Sequence, residues 1–222
     1  MSTDNNLHLY QGIAVIIDDQ IGSEPDGIDN LILQIETGKI PCLKLKELPD
    51  TDIIEHLHGI SFILLDWKLT PNETQCENGI SDVTLPTSLL DSSIDFLKKV
   101  QEKMLVPIFI FTNEDETSVE SKLTESELLR PHSPNSIFIK SKEDLLTKGK
   151  LFDEINNWAT NNPPMYVLKT WEHEYRQAQG NLFADFYKYN PSWVTVLKEC
   201  HKDDGVNIAA ELMTTIRDNL FS

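Results

Sequence analysis

The sequence predicts an α/β protein: a five-stranded, parallel, doubly wound sheet of the flavodoxin-like kind, strand order 2-1-3-4-5, followed by a C-terminal helical extension. Three observations carry this. Short apolar runs recur along the first 140 residues and are continuous rather than alternating, as in strands buried on both faces. Amphipathic helical stretches separate them, the grammar of βαβ units. Several runs also end abruptly on a polar residue, and the carboxyl edge of a parallel sheet is where open α/β folds bind ligands.

The first strand is Ile13–Ile17, a β-branched run stopped by Asp18-Asp19. A loop with Gly22, Pro25 and Gly27 leads to a short helix burying Ile28, Leu31, Ile32 and Ile35, which stops near Gly38. Residues 40–45 read as the second strand. Pro49-Asp50-Thr51 opens a helix carrying Ile53, Ile54 and Leu57, ended by Gly59. The third strand, 61–66, is the most telling: its apolar run ends on the bare carboxylate of Asp66.

Residues 70–86 are polar and irregular, an extended loop with two prolines and Gly79. A helix from about Pro86 presents Leu89, Leu90, Ile94, Leu97 and Val100, and the fourth strand, 106–111, ends on Thr112-Asn113. A polar helical segment with Val119, Leu123, Leu128 and Leu129 follows. The fifth strand, 137–139, ends on Lys140, and one helix from about 142 to 158 closes the unit. Asn161-Asn162-Pro163-Pro164 is a breaker, so residues 8–160 are expected as the sheet domain and 164–222 as the extension. In the extension Leu168, Trp171, Tyr175, Ala178, Leu182 and Phe186 recur at helical spacing, and Ile208, Leu212, Ile216 and Leu220 form a last stripe.

Composition narrows the function. The 222 residues, 40% hydrophobic and 25% charged, suit an ordinary globular protein. A net charge of −17 disfavours unaided binding to nucleic acid or an anionic membrane. Residues 163–222 carry six Lys/Arg against eight Asp/Glu, so no basic recognition helix is evident. The cysteines, Cys42, Cys76 and Cys200, are scattered and lack a CxxC pair. A polar beginning and the absence of any long apolar run complete the expectation of a cytoplasmic protein without nucleic-acid or membrane partners.

With strand order 2-1-3-4-5, strands 1, 3, 4 and 5 are neighbours, and Asp18, Asp19, Asp66, Thr112 and Lys140 meet in one crevice. Converging carboxylates repel unless a cation sits among them, and hard oxygen ligands suit Mg²⁺. Asp66 is then a candidate nucleophile for phosphorus. The Thr112 hydroxyl and Lys140 ammonium are candidates to hold incoming phosphoryl oxygens.

This ordered set resembles the receiver domain of two-component response regulators over roughly residues 10–160. The acid pair Asp18-Asp19, the acceptor Asp66, the hydroxyl of Thr112 and the lysine Lys140 occupy the family's positions. The resemblance implies Mg²⁺ held by Asp18, Asp19, Asp66 and the backbone carbonyl of Lys68. It also implies a phosphoryl group taken by Asp66 from a sensor histidine kinase. Departures are equally visible: Thr70 stands where the family has proline, Ser141 rather than proline follows Lys140, and Ile137 replaces the switch aromatic. The chain thus resembles a divergent receiver of the kind found in bacterial conflict or defence systems. Lys68 and Glu114, two residues past Asp66 and Thr112, are of opposite charge and are expected to pair across the mouth.

The expected role is a signalling module that catalyses only its own phosphorylation and hydrolysis. Its output would be contact with a downstream effector protein, or service as a phosphate sink, with a homodimer through the helical stripe as a further expectation. The alternative is a phosphorylation-independent pseudo-receiver acting as a scaffold. A phosphatase with Asp18 as nucleophile is disfavoured, because Gln20 stands where a second catalytic Asp is wanted.

Overall fold

A computed structural model of the chain describes residues 12–23, 27–57, 59–69, 87–131, 133–145, 150–189 and 191–200, with isolated positions beyond 206. The loop expected at 70–86 and the final stripe of Ile208, Leu212, Ile216 and Leu220 lie outside these residues. Two compact units are present, Met1–Val167 and Leu168–Ser222.

The first unit is built on five parallel strands: β1 (Ile13–Ile17), β2 (Cys42–Leu45), β3 (Ile60–Asp66), β4 (Ile108–Thr112) and β5 (Ile137–Ser141). They pair in the order β2-β1-β3-β4-β5, the doubly wound arrangement expected. Every residue of β3 and β4 is buried, because both faces of these inner strands are covered. On one face Ile16, Phe62, Leu64 and Phe109 pack against α1 (Ile28–Thr37) and α5 (Lys150–Asn161). Phe109 is the hub there, with the rings of Phe62, Phe138 and Trp158 edge-on at 5.9, 5.9 and 5.5 Å between centroids. On the other face Val15, Ile17, Ile63, Leu65 and Ile110 pack against α2 (Thr87–Lys103) and α3 (Glu116–Glu125). Trp67, next to Asp66, is 2% exposed and fills this second core.

Several expectations shift. Thr51–His56 is a 3-10 helix rather than an α-helix, capped by Asp50, whose side chain accepts the Asp52 N–H. β2 begins at Cys42 instead of residue 40. Within the helix expected at 142–158, the described residues form α4 (Lys142–Leu145) and α5, and residues 146–149 lie outside them. The fifth strand runs to Ser141, held there by pairing with β4 in which Thr112 stands opposite Ser141. That extension decides which lysine reaches the site.

α6 (Pro163–Tyr189) follows α5 after Asn162, and its first turn places Met165 and Tyr166 in the first unit's core. In the second unit, Leu168, Trp171 and Tyr175 stand exposed on α6. Phe186 stacks on Trp193, at the start of α7 (Trp193–Cys200), with centroids 5.2 Å apart.

Candidate functional site

Neighbouring strand ends assemble the site. Residues Ile17 of β1 and Leu65 of β3 are partners in register, so Asp18 and Asp66 emerge side by side at the sheet's carboxyl edge. Asp66 itself pairs with Phe111, which places Thr112 one residue further along the adjacent strand. Asp18, Asp66 and Thr112 are all buried, at 1%, 5% and 1% exposure, and Asp19 is half-buried. Carboxylate oxygens of Asp18, Asp19 and Asp66 lie within 4.8 Å of one another.

The positive partner of these acids is Lys142. Its Nζ donates to Asp66 Oδ2 at 2.8 Å and to Asp18 Oδ2 at 3.2 Å. The expectation for Lys140 is corrected. Side chains alternate along a strand, and Lys140 lies within β5 on the same side as Phe138. There its Nζ stands 3.9 Å from Asp144 and 3.9 Å from Glu154. Lys142 is the first residue beyond the strand and so reaches the edge where the acids are. The apolar run ends at residue 139, which made Lys140 look like the strand's last residue. The available signal was the repeat of lysine two positions on.

Backbone donors complete the acids' surroundings. Gln20 N–H donates to Asp18 Oδ1 at 2.8 Å, and Lys68 N–H to Asp66 Oδ1 at 3.2 Å. The Thr112 hydroxyl oxygen accepts the Glu114 N–H at 2.8 Å, fixing its rotamer. Across the mouth, Lys68 Nζ meets Glu114 Oε1 at 2.9 Å while Lys122 meets its Oε2 at 3.3 Å, so the expected pairing of Lys68 and Glu114 is present. Those two lysines, that of Lys68 foremost, hold the Glu114 carboxyl below the usual range. Glu116, which sequence reasoning passed over, accepts the Ser141 N–H at 2.8 Å. A cleft of about 240 Å³ opens beside Asp18 and Lys142, floored by Ile28, Leu31 and Phe111.

Electrostatics set Asp66 apart. Burial pushes its pKa from 3.8 up to about 6, helped by the Asp18 charge, against the pull of Lys142 and the Lys68 N–H. Burial also works against the Lys142 ammonium. The hydrogen bond it donates to Asp66 and the attraction of both carboxylates outweigh this and hold its pKa above an ordinary lysine's. The site is thus a buried anion pair bridged by one ammonium.

The three acids also fit a divalent cation. Opposite oxygens around octahedral Mg²⁺ stand about 4.2 Å apart, at roughly 2.1 Å each from the ion. Carboxylate oxygens that all lie within 4.8 Å of one another can converge on one such ion, which would keep waters at its other positions.

No protein-family model matches the chain, and no curated protein matches it in sequence. Among solved structures, it is similar to a fusion of the trimeric coiled coil of yeast Spc42, amino acids 181–211. That match has 12% identity and a TM-score of 0.43, covering 78% of this chain and 97% of the other. It is also similar to full-length FixJ from B. japonicum, at 11% identity and a TM-score of 0.39, covering 94% and 87%. Similarity this low carries no argument about function, which rests on the site itself.

Proposed function

We propose that the chain is a phospho-accepting signalling protein of the receiver kind, with Asp66 as acceptor. One observation carries the reading: three carboxylates from two strand ends converge within 4.8 Å, and a lysine from a third element bonds the central one at 2.8 Å. A buried carboxylate flanked by a second acid and an ammonium is arranged to meet a phosphoryl group and a divalent cation together.

In this reading an Asp66 oxygen attacks phosphorus, forming an acyl phosphate as the donor's P–N bond breaks. The electron pair leaves with the imidazole of a histidine kinase, which takes up a proton. Asp18, Asp19, Asp66 and the Lys68 carbonyl would hold Mg²⁺, whose contribution is to neutralise charge on the phosphoryl oxygens. Lys142, in place of Lys140, and the Thr112 hydroxyl hold those oxygens. Output passes by contact to an effector protein, in the cytoplasm. Among the described residues no helix is long and apolar enough to cross a membrane.

Support for the scaffold alternative comes from Lys142, which already bridges Asp18 and Asp66 and so neutralises part of the acids' charge without a metal. Intact mass after incubation with Mg²⁺ and a small phosphodonor separates the two. A receiver gains one labile phosphoryl group, lost in Asp66→Ala and on chelation of the metal. An unchanged mass across several donors would leave the scaffold.

A further inference from the structure

We infer that Glu116 is a positioning residue for Lys142, setting the ammonium's reach to Asp66 through the backbone of Ser141. The inference takes the site's chemistry from the receiver reading, but its geometry stands without it. Among the described residues β5 is an edge strand, so the groups on its outer side find no ladder partner there. At its last residue the side chain of Glu116 supplies one, accepting the Ser141 N–H at 2.8 Å across 25 positions of sequence. The next residue is Lys142, where the chain turns from strand into α4.

Where that turn occurs decides the site. Lys140, still inside the strand, is held on the sheet's side by Asp144 and Glu154, while Lys142 reaches Asp66 and Asp18. A strand ending one residue earlier or later would carry the ammonium off a 2.8 Å contact. Glu116 is itself well anchored. It opens α3, whose N-cap Asp115 accepts the Ser118 N–H, and it lies four residues beyond Thr112. The stretch from Thr112 to Glu116 therefore presents the hydroxyl with one end and, with the other, holds the Ser141 N–H one residue before the lysine.

A double-mutant cycle on the metal-free protein tests this, reading urea unfolding of Glu116→Ala, Lys142→Met and the pair. Positioning predicts that the two changes interact at least fivefold in the unfolding constant, because the lysine loses much of its contact once Glu116 is gone. Glu116→Gln, which keeps an acceptor oxygen, should restore most of that interaction. Additive single changes, or a glutamine variant indistinguishable from alanine, would overturn the inference. Amide exchange covers the case in which Lys142→Met does not fold. The Ser141 amide should exchange at least tenfold faster in Glu116→Ala than in Glu116→Gln, and equal rates would overturn it.

With Mg²⁺ and a small phosphodonor, Glu116→Ala should also label severalfold more slowly, and adding Lys142→Met should slow it little further. A wild-type protein that never labels would refute the receiver reading, while the unfolding cycle would still decide the role of Glu116.

Discussion

Replacing Asp66 by Asn should stabilise the metal-free protein, although it removes one side of a buried ion pair at the site. Burial dominates the carboxyl's environment and lifts its pKa from 3.8 to about 6, so Lys142 only partly offsets the cost of the ionised form. At 1.36 kcal/mol per pH unit, that lift puts the cost of holding Asp66 ionised in the fold near 3 kcal/mol. Asn is neutral, nearly the same shape, and keeps an acceptor for the Lys68 N–H, while Lys142 keeps Asp18.

The sign of the pH dependence follows from linkage. A group whose folded pKa is raised stabilises the fold fully below its unfolded pKa, near 3.8. That contribution is lost as pH rises through about 6. Wild type therefore carries the full cost at pH 8, and Asn should gain about 1–3 kcal/mol over it there. At pH 5 the gain should fall to roughly half, since the wild-type carboxyl is then mostly protonated in the fold. Urea unfolding of both proteins in a chelator at the two pH values reads this directly, because other titrating groups cancel in the comparison. An Asn variant less stable than wild type at pH 8, or a difference that ignores pH, would refute the account of the site as a desolvated carboxylate only partly balanced by Lys142.

The two lysines should separate in the same assay. Lys142→Met strands two buried carboxylates and should cost about 3 kcal/mol at pH 8, with millimolar Mg²⁺ recovering part of the loss; Lys140→Met should cost about 0.5 kcal/mol or less. Equal costs would contradict the assignment of Lys142 to the site. At the other edge of the sheet, a Cβ on Gly12 would stand 2.6 Å from the Gly59 carbonyl oxygen and 2.6 Å from Ser61 Oγ. Gly12→Ala should therefore lower the urea midpoint by the equivalent of about 1–3 kcal/mol without changing the slope, and an unchanged midpoint would show that this contact relaxes freely.

Much of this protein was legible before any coordinates. Strand-buried runs such as 61–66 announce themselves because a chain covered on both faces has no polar side to show, and alternation with helices leaves little but a parallel sheet. Asp18 and Asp66 were legible for the same reason: a carboxylate closing an apolar strand marks the edge of the core. Less was visible where local pattern and tertiary pairing part company. The fifth strand was expected to end at 139, but it runs to Ser141 through its pairing with β4.

What the sequence by itself determined is the sheet, its order and the gathering of acids at one edge, since these follow from which residues can be buried. Only the tertiary structure decided which cation meets them. The apolar run stops at residue 139, but pairing of Ser141 with Thr112 and the carboxylate of Glu116 carry β5 two residues further. Lys140 is thereby left inside the strand, and Lys142 reaches Asp66. Hydrogen bonds made across 25 or more positions leave no trace in a local pattern, and a difference of two residues in where a strand ends is enough to exchange the lysine.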